Sequence, residues 1–226
     1  MTMVEASLPL TRSRLLRDSV YEQLRADMVS CALAPGTEIR EAELAARFAV
    51  SKSPVRDALM RLEREGLVIS QPRQGYRVAP ISLSDVLDMF HLRAALERAC
   101  MERIVRYASD DRLVELNAFR QFDADAWDGG FIAYNRAFHQ RLAQLGANPR
   151  MRDHFIALID LMERAVHVSL TNIKRRDPKN LVEEHCRIID ALQARAVTRA
   201  QRLSEQHTAA ARKRVSNAIS RSLITH

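Results

Sequence analysis

The first third of the chain contains three short segments in which apolar residues recur at the spacing of a helix. The first runs from Leu15 to Val29, and the second from Glu41 to Phe48. The third begins at Ser51 or Ser53, either of which can cap a helix, and it stops at Gly66. The pattern therefore predicts three small helices in this part of the chain.

The third of these segments has two different faces. Val55, Leu59 and Leu62 form an inward apolar stripe, whereas Lys52 and Arg56 lie on the opposite side. A helix with this pattern can pack on a core with one face and present cations to a polyanion with the other. The segment is therefore a candidate for contact with nucleic acid.

Two short β-prone runs follow the third helix. They span residues 67–70 and 75–78, and the polar link between them contains Pro72, so the pattern predicts a two-stranded hairpin. Three helices and a hairpin within residues 12–80 are typical of a winged helix-turn-helix. In that fold the third helix enters the major groove of DNA and the wing lies on its backbone.

The rest of the chain shows helical periodicity and no β-rich segment. Six helices are predicted, near residues 84–107, 110–124, 130–146, 149–173, 178–194 and 196–220. Helices of this length favour an antiparallel bundle with a pocket between them. We therefore expect a mainly α protein, with an N-terminal winged helix-turn-helix at residues 12–80 and a C-terminal all-α antiparallel helical bundle at residues 84–220.

The composition narrows the class of protein but does not locate a binding surface. A net charge of +7 and a pI near 9.8 suggest a nucleic-acid partner. Residues 1–80, however, contain 12 Lys and Arg against 10 Asp and Glu, so the predicted DNA-reading part is almost neutral. The chain has neither an apolar run of about 20 residues nor a secretory signal, so we expect a cytoplasmic protein. Cys31, Cys100 and Cys186 are far apart, which argues against disulfides, and we expect them to lie in the core.

A longer motif makes the first region more specific. The stretch PGTEIREAELAARFAVSKSPVRDALMRLEREGLVISQPRQGYRV resembles the signature of the GntR family of bacterial regulators, and the resemblance covers nearly all of residues 12–80. It implies a DNA-binding transcriptional regulator in which Lys52 and Arg56 contact bases. The residues expected to contact the phosphate backbone, and so to position the protein on the DNA, are Arg47, Ser53, Arg73, Gln74 and Gly75. The family usually has arginine where this chain has Lys52, and lysine cannot form the bidentate fork that arginine makes with guanine, so the base preference there is expected to differ.

The second region resembles the helical ligand-binding (FCD) domain of the FadR-like branch of the same family. The segments that carry this resemblance are DVLDMFHLRAALERACMERI, AYNRAFHQRLAQLGANPRM and EEHCRIIDALQ, together with the late His207. Many members hold a divalent metal with one Asp and three His, and by position these residues are Asn135, His139, His185 and His207 here. The first departs from the pattern because asparagine supplies a neutral oxygen, so we expect weaker binding of Zn²⁺ or Ni²⁺. The alternative is that the histidines are hydrogen-bonded core residues.

Arg93 has two interpretations. In the resembled family an arginine at this point often faces the pocket, where its guanidinium can hold the carboxylate of an effector with two hydrogen bonds. Arg93 is also four residues before Glu97, so the two side chains can form an ordinary ion pair within one helix. The sequence leaves both open.

These features together predict a repressor that binds a palindromic operator as a homodimer and responds to a small organic acid. Two other functions fit parts of the pattern. The histidines would suit a metal-dependent hydrolase, but the sequence has no HExxH motif, no nucleophile elbow and no Gly-rich phosphate loop. A helical protein-interaction module would not need the cationic face of Lys52 and Arg56. We therefore expect a regulator that is not an enzyme.

Overall fold

The computed structural model describes residues 8–127, 129–171 and 178–224. The chain separates into two compact units, Met1–Pro80 and Ile81–His226. Among the described residues, the first unit contains three helices and a small sheet, and all regular secondary structure of the second unit is helical. The predicted fold class, a mainly α protein with a winged helix-turn-helix followed by a helical bundle, is confirmed.

The three helices of the first unit are α1 (Leu8–Val29), α2 (Glu41–Arg47) and α3 (Lys52–Arg64). The cap of α3 is Ser51, whose extended backbone begins the helix, although its hydroxyl makes no capping hydrogen bond. The helix ends just before Gly66, which has a φ of +73° that favours glycine. The core between α1 and α3 consists of buried side chains, which include Leu24, Met28, Val55, Leu59 and Leu62.

The sheet has one strand more than the sequence predicted. The strands are β1 (Glu38–Ile39), β2 (Val68–Gln71) and β3 (Gly75–Val78), in the antiparallel order β1-β3-β2. The hairpin β2–β3 is the predicted wing, whereas β1 is too short to produce an alternating pattern. Gly75 is required at the start of β3, because its φ is +99° and a Cβ atom there would lie 2.7 Å from the carbonyl oxygen of Ile39.

The second unit contains six α-helices and one 3-10 helix among its described residues. They are α4 (Leu83–Tyr107), α5 (Asp110–Val114), the 3-10 helix Glu115–Phe119, α6 (Gly130–Leu145), α7 (Pro149–Thr171), α8 (Lys179–Gln193) and α9 (Val197–Ile224). The helix predicted at residues 110–124 is wrong in length and type, because it is α for only one turn and then 3-10. Its buried residues Leu113, Leu116 and Phe119 are spaced by three, which places them on one side of a 3-10 helix with three residues per turn.

Two groups of buried side chains form the core of the second unit. One surrounds Phe138 and includes Cys100, Leu142, Phe155 and Leu192, and the other includes Phe90, Met162 and Val215. The prediction that all three cysteines are core residues is wrong, because Cys31 and Cys186 are only partly buried and only Cys100 is enclosed. No helix of the described residues is long and apolar enough to cross a membrane.

Candidate metal centre and DNA-reading helix

Three histidines from three helices meet in the interior of the second unit. His139 lies on α6, His185 on α8 and His207 on α9, and all three are buried. One ring nitrogen of each lies within 4.8 Å of those of the other two. The Nε2 atoms of His139 and His207 are 3.4 Å apart. The sequence placed these residues together only through a resemblance, and the fold brings them into one cluster.

The hydrogen bonds of His185 define which of its nitrogens is available. Tyr134 donates its only hydroxyl proton to the carbonyl oxygen of Phe119, at 2.7 Å. The oxygen of Tyr134 can therefore only accept from Nδ1 of His185, 3.2 Å away, so Nδ1 carries the proton. Nε2 of His185 is left as a buried lone pair with no hydrogen-bond partner among the described residues. The ring is also stacked on Phe138, with centroids 3.9 Å apart, which fixes its orientation.

His139 is oriented by a buried carboxylate on α4. Nδ1 of His139 lies 2.9 Å from Oε1 of Glu97, so it donates its proton to that oxygen. The other oxygen of Glu97 accepts hydrogen bonds from the hydroxyls of Ser204 and Thr208, both at 2.8 Å. With Arg93 as a fourth donor, at 3.0 Å, every acceptor position of the buried carboxylate is used. Glu97 thus keeps Nε2 of His139 unprotonated.

His207 repeats this arrangement with a different carboxylate. Its Nδ1 lies 2.6 Å from Oε2 of Glu184, which is on α8 next to His185. Each imidazole therefore directs Nδ1 to an oxygen outside the cluster and Nε2 into the cluster, where Nε2 of His139 accepts from Nη2 of Arg93. Histidines that hold a metal in proteins usually make such outward hydrogen bonds. The orphaned Nε2 of His185 and this donor set fit a divalent transition metal.

The electrostatics of the cluster favour neutral imidazoles. Burial and the nearby charge of Arg93 lower the pKa of His139 to about 3. Burial, together with the neighbouring His207 and His139, lowers the pKa of His185 well below its usual value. Burial alone would raise the pKa of Glu97, but Arg93 and the two nearby histidines, His139 and His207, hold it well below its usual value. His139 and His185 are therefore neutral, which is the form that binds metal, and the carboxylate of Glu97 is ionised.

Arg93 forms the ion pair expected within its helix and also contacts the histidine cluster. Its Nε donates to Glu97, which is the expected pair within α4, and its side chain is only 3% exposed. Its Nη2 also donates to Nε2 of His139, at 2.8 Å, so the lone pair of that nitrogen has Arg93 as its partner. Arg93 lines the adjacent cavity as well. The guanidinium is thus bound to one nitrogen of the cluster and lies next to a space that a small molecule can enter.

The adjacent cavity has a volume of about 880 Å³. Its lining includes Arg93, His207 and Asn135, the last of which lies one helical turn before His139. The apolar part of the wall includes Phe122, Phe131, Ile132, Leu181, Val166 and Val215. A mainly apolar pocket with a few polar groups in its wall is the usual form of a site for a small organic molecule.

Removing the hydroxyl of Tyr134 is expected to weaken metal binding by about ten- to a hundredfold, because Nδ1 of His185 would lose the acceptor that fixes its protonation. The variant Tyr134→Phe keeps the buried ring and removes only the hydroxyl, with its hydrogen bonds to His185 and to the carbonyl oxygen of Phe119. The matched control is Tyr107→Phe, since Tyr107 is a tyrosine on α4 with 60% of its surface exposed. Calorimetric titration with Zn²⁺ measures both, and equal affinities would show that the hydrogen bond has no role in the site.

In the first unit, α3 presents its cations to solvent as the sequence pattern predicts. Lys52, Ser53 and Arg56 are exposed, whereas Val55 on the same helix is completely buried. Arg56 makes a two-pronged ion pair with Glu41 of α2, with Nε 3.0 Å from Oε1 and Nη2 2.8 Å from Oε2. The sequence analysis did not anticipate this partner.

The residues expected at the DNA backbone occupy three places in the first unit, of which Ser53 on α3 is one. Arg47 is the last residue of α2, where its Nη2 lies 2.6 Å from Oδ2 of Asp27 on α1. Arg73, Gln74 and Gly75 form the tip of the wing, and Arg73 has a φ of +65°. The wing tip is polar and mostly exposed.

The sequence analysis did not identify several residues that contact or support the histidine cluster. Glu97 was considered only as the ion-pair partner of Arg93. Glu184 and Tyr134 are next in sequence to His185 and Asn135, but adjacency on a helix does not predict contact. Ser204 and Thr208 are one turn apart on α9, in the turn that contains His207. This spacing is the one sequence pattern that could have placed their hydroxyls on the same side of the helix.

Two family models match the chain. Residues 16–78 match the model of the bacterial regulatory proteins of the gntR family, and residues 88–210 match the FCD domain. The chain is 30% identical over 203 residues to the HTH-type transcriptional repressor RspR of Escherichia coli (strain K12), with 88% of each protein covered. It is also 30% identical over 211 residues to the regulator BphR of Paraburkholderia xenovorans (strain LB400), which covers 88% of this chain and 85% of that protein.

Solved structures share the fold. A GntR-type regulator from Rhodococcus sp. RHA1 superimposes with a TM-score of 0.74 at 21% identity, over 88% of this chain and 96% of the other. E. coli McbR/YncC gives a TM-score of 0.72 at 21% identity, over 85% and 93% of the two chains.

Proposed function

Because this chain belongs to the GntR family, carries the FCD domain and is therefore a DNA-binding transcriptional regulator rather than an enzyme, we propose that it is a repressor controlled by a small carboxylate in a metal-containing pocket. The observation that supports this most is the convergence of three buried histidines and Arg93 beside a mainly apolar cavity of about 880 Å³. The sequence relationship to a repressor of Escherichia coli also supports it.

On the DNA side, α3 is proposed to lie in the major groove. Lys52 and Arg56 are exposed on the face opposite the core and would contact bases. Ser53, Arg47, Arg73, Gln74 and Gly75 would bind the phosphate backbone. A homodimer would place two such helices on the halves of a palindromic operator, because a protein with two-fold symmetry requires a site with the same symmetry.

On the sensing side, His139, His185, His207 and Asn135 would hold Zn²⁺ or Ni²⁺. Three imidazoles and one amide oxygen are neutral ligands, so the net charge of a bound ion would remain positive and would attract a carboxylate. Arg93 would bind the same carboxylate, since a guanidinium matches its two oxygens. The apolar part of the ligand would lie against side chains such as Phe122 and Phe131.

The effect on DNA binding would follow from a shift between two states of the protein. A ligand changes this equilibrium only as far as it binds one state better than the other. We expect the acid to favour the state with low DNA affinity, so that repression is relieved when the ligand is present. A coupling of about five- to 150-fold in DNA affinity is typical of such systems.

The proposal is tested by measuring binding to a fluorescent duplex from the region upstream of the protein's own gene. Fluorescence anisotropy is recorded with Zn²⁺ or with a chelator, while small organic acids found in a thermal-shift screen are added. With metal present, an active acid should weaken DNA binding at least fivefold, and this effect should be lost with the chelator. If no acid that raises the melting temperature changes DNA affinity, the sensing role is refuted and the DNA-binding role stands.

Replacing Arg93 by glutamine is expected to weaken binding of the acid by about tenfold or more, because a charge-assisted hydrogen bond contributes roughly 1.5–3 kcal/mol. Isothermal titration of the metal-loaded protein with the acid measures this. Arg98→Gln is the matched control, since Arg98 is an exposed arginine on the same helix that pairs with Glu205. An equal loss in both variants would show that Arg93 does not bind the ligand.

A further inference from the structure

The ion pair between Arg56 and Glu41 limits how Arg56 can meet DNA. Glu41 is the first residue of α2, and its carboxylate receives Nε and Nη2 of Arg56 at 3.0 and 2.8 Å. Both carboxylate oxygens of Glu41 therefore accept hydrogen bonds from one side of the guanidinium, the edge formed by Nε and Nη2. Glu41 is 20% exposed and Arg56 is 58% exposed, so the arginine lies on the solvent side of the pair.

The donors that remain on Arg56 are well placed for a second partner. A guanidinium has five N–H groups, and two are directed to Glu41. The three others lie on Nη1 and on the far side of Nη2, where one from each nitrogen forms a parallel fork at the end of the side chain. This fork matches the two acceptors, O6 and N7, that guanine presents in the major groove. The ion pair with Glu41 thus leaves the edge formed by Nη1 and Nη2 available for a base.

We propose that Glu41 is a positioning residue for sequence discrimination, which holds the side edge of Arg56 so that its end edge meets one base and not a phosphate. This inference rests on the proposed role of Arg56 at the DNA bases. The carboxylate does so in two ways. It restricts the rotation of a long side chain, and it offsets a positive charge that would otherwise attract any phosphate.

The surroundings of Glu41 support this role. The hydrogen bond from Arg56 lowers the pKa of Glu41, more than burial raises it, and Lys52 also lowers it. The carboxylate is therefore charged, and it lies near both cations that are proposed to reach bases. A negative charge on this face repels the DNA backbone, so it opposes binding that is independent of sequence. An exposed ion pair of this kind adds little to stability, which makes a purely structural role a weak explanation.

The test compares Glu41→Gln with the wild type on two duplexes. One comes from the region upstream of the protein's own gene and contains the segment that the protein protects from nuclease. The other has the same length and composition in shuffled order. Affinity for the shuffled duplex should rise about threefold in the variant, and the ratio of the two affinities should fall about tenfold, which is within the range that one bidentate base contact provides.

Two controls separate positioning from other effects. Glu43→Gln removes an equal charge from the first turn of the same helix, where Glu43 lies near Arg40 at 3.8 Å. It should leave the ratio within twofold of the wild type. In an Arg56→Ala background, Glu41→Gln should no longer change the ratio, because the effect is transmitted through Arg56.

The outcomes are distinguishable. If Arg56→Ala binds the upstream duplex as well as the wild type, the proposed base contact fails, and the inference fails with it. If Arg56→Ala loses discrimination but Glu41→Gln keeps it, only the inference about Glu41 is overturned. An equal loss in Glu43→Gln, or a loss that persists without Arg56, overturns it too. Circular dichroism and a melting curve of each variant show whether a change in affinity reflects unfolding.

Discussion

Replacing His185 by alanine is expected to lower the affinity for Zn²⁺ or Ni²⁺ by at least about a hundredfold. Removing only the hydrogen-bond partner of a metal ligand costs up to about a hundredfold, so removing the ligand itself should cost at least as much. The reason is that His185 contributes a buried Nε2 with no partner among the described residues. Its ring is already oriented by Tyr134 and Phe138. Two imidazoles and Asn135 cannot complete a site with three nitrogen donors.

Elemental analysis of protein purified without chelator or affinity tag measures this loss directly, and calorimetric titration gives the affinity. The control is His154→Ala, because His154 is exposed on α7. Removing the buried ring of His185 also leaves a cavity, so a second variant, His207→Ala, and a melting curve for each are needed. Retention of one equivalent of metal by both buried-histidine variants would contradict the metal site.

Replacing Arg56 by alanine is expected to weaken binding to the upstream duplex by at least about tenfold, because a bidentate contact to a base contributes roughly 1–3 kcal/mol of discrimination. Binding to shuffled DNA should change much less, since Arg56 is held by Glu41 and contributes little to the attraction of phosphates. Lys52→Ala should lower the discrimination between the two duplexes less than Arg56→Ala does, because an ammonium group that contacts a base cannot form the fork that matches guanine.

Anisotropy titrations at two salt concentrations distinguish a lost base contact from a lost phosphate contact. A lost phosphate contact lowers the salt dependence of binding by about one unit in the logarithmic slope, whereas a lost base contact leaves that slope almost unchanged. Arg106→Ala is a suitable control, because Arg106 is an exposed arginine of the second unit that pairs with Glu102. Equal operator affinity in the wild type and in Arg56→Ala would refute the assignment of α3 as the recognition helix.

The elements of the fold follow from local patterns wherever those patterns are long. The predicted helices of the second unit, except one, agree with the structure to within a few residues at most of their ends, because each has a full apolar stripe and a clear break at each end. The exception is the segment after Asp110, where apolar residues spaced by three select a 3-10 helix. Strand β1 has two residues, so it exists only because β3 lies beside it.

The candidate site, too, was predicted from the sequence only in part. The sequence by itself determined the family, the two kinds of fold and the positions of three histidines on three helices. Only the tertiary structure decided that Glu97, Glu184 and Tyr134 receive the Nδ1 protons of those histidines, because these contacts join different helices and depend on how the helices cross. The same holds for Arg56. The sequence pattern predicted only that its side chain lies on the face of α3 opposite the core. Its carboxylate partner Glu41 is fifteen residues away, and the packing of α2 against α3 brings the two together.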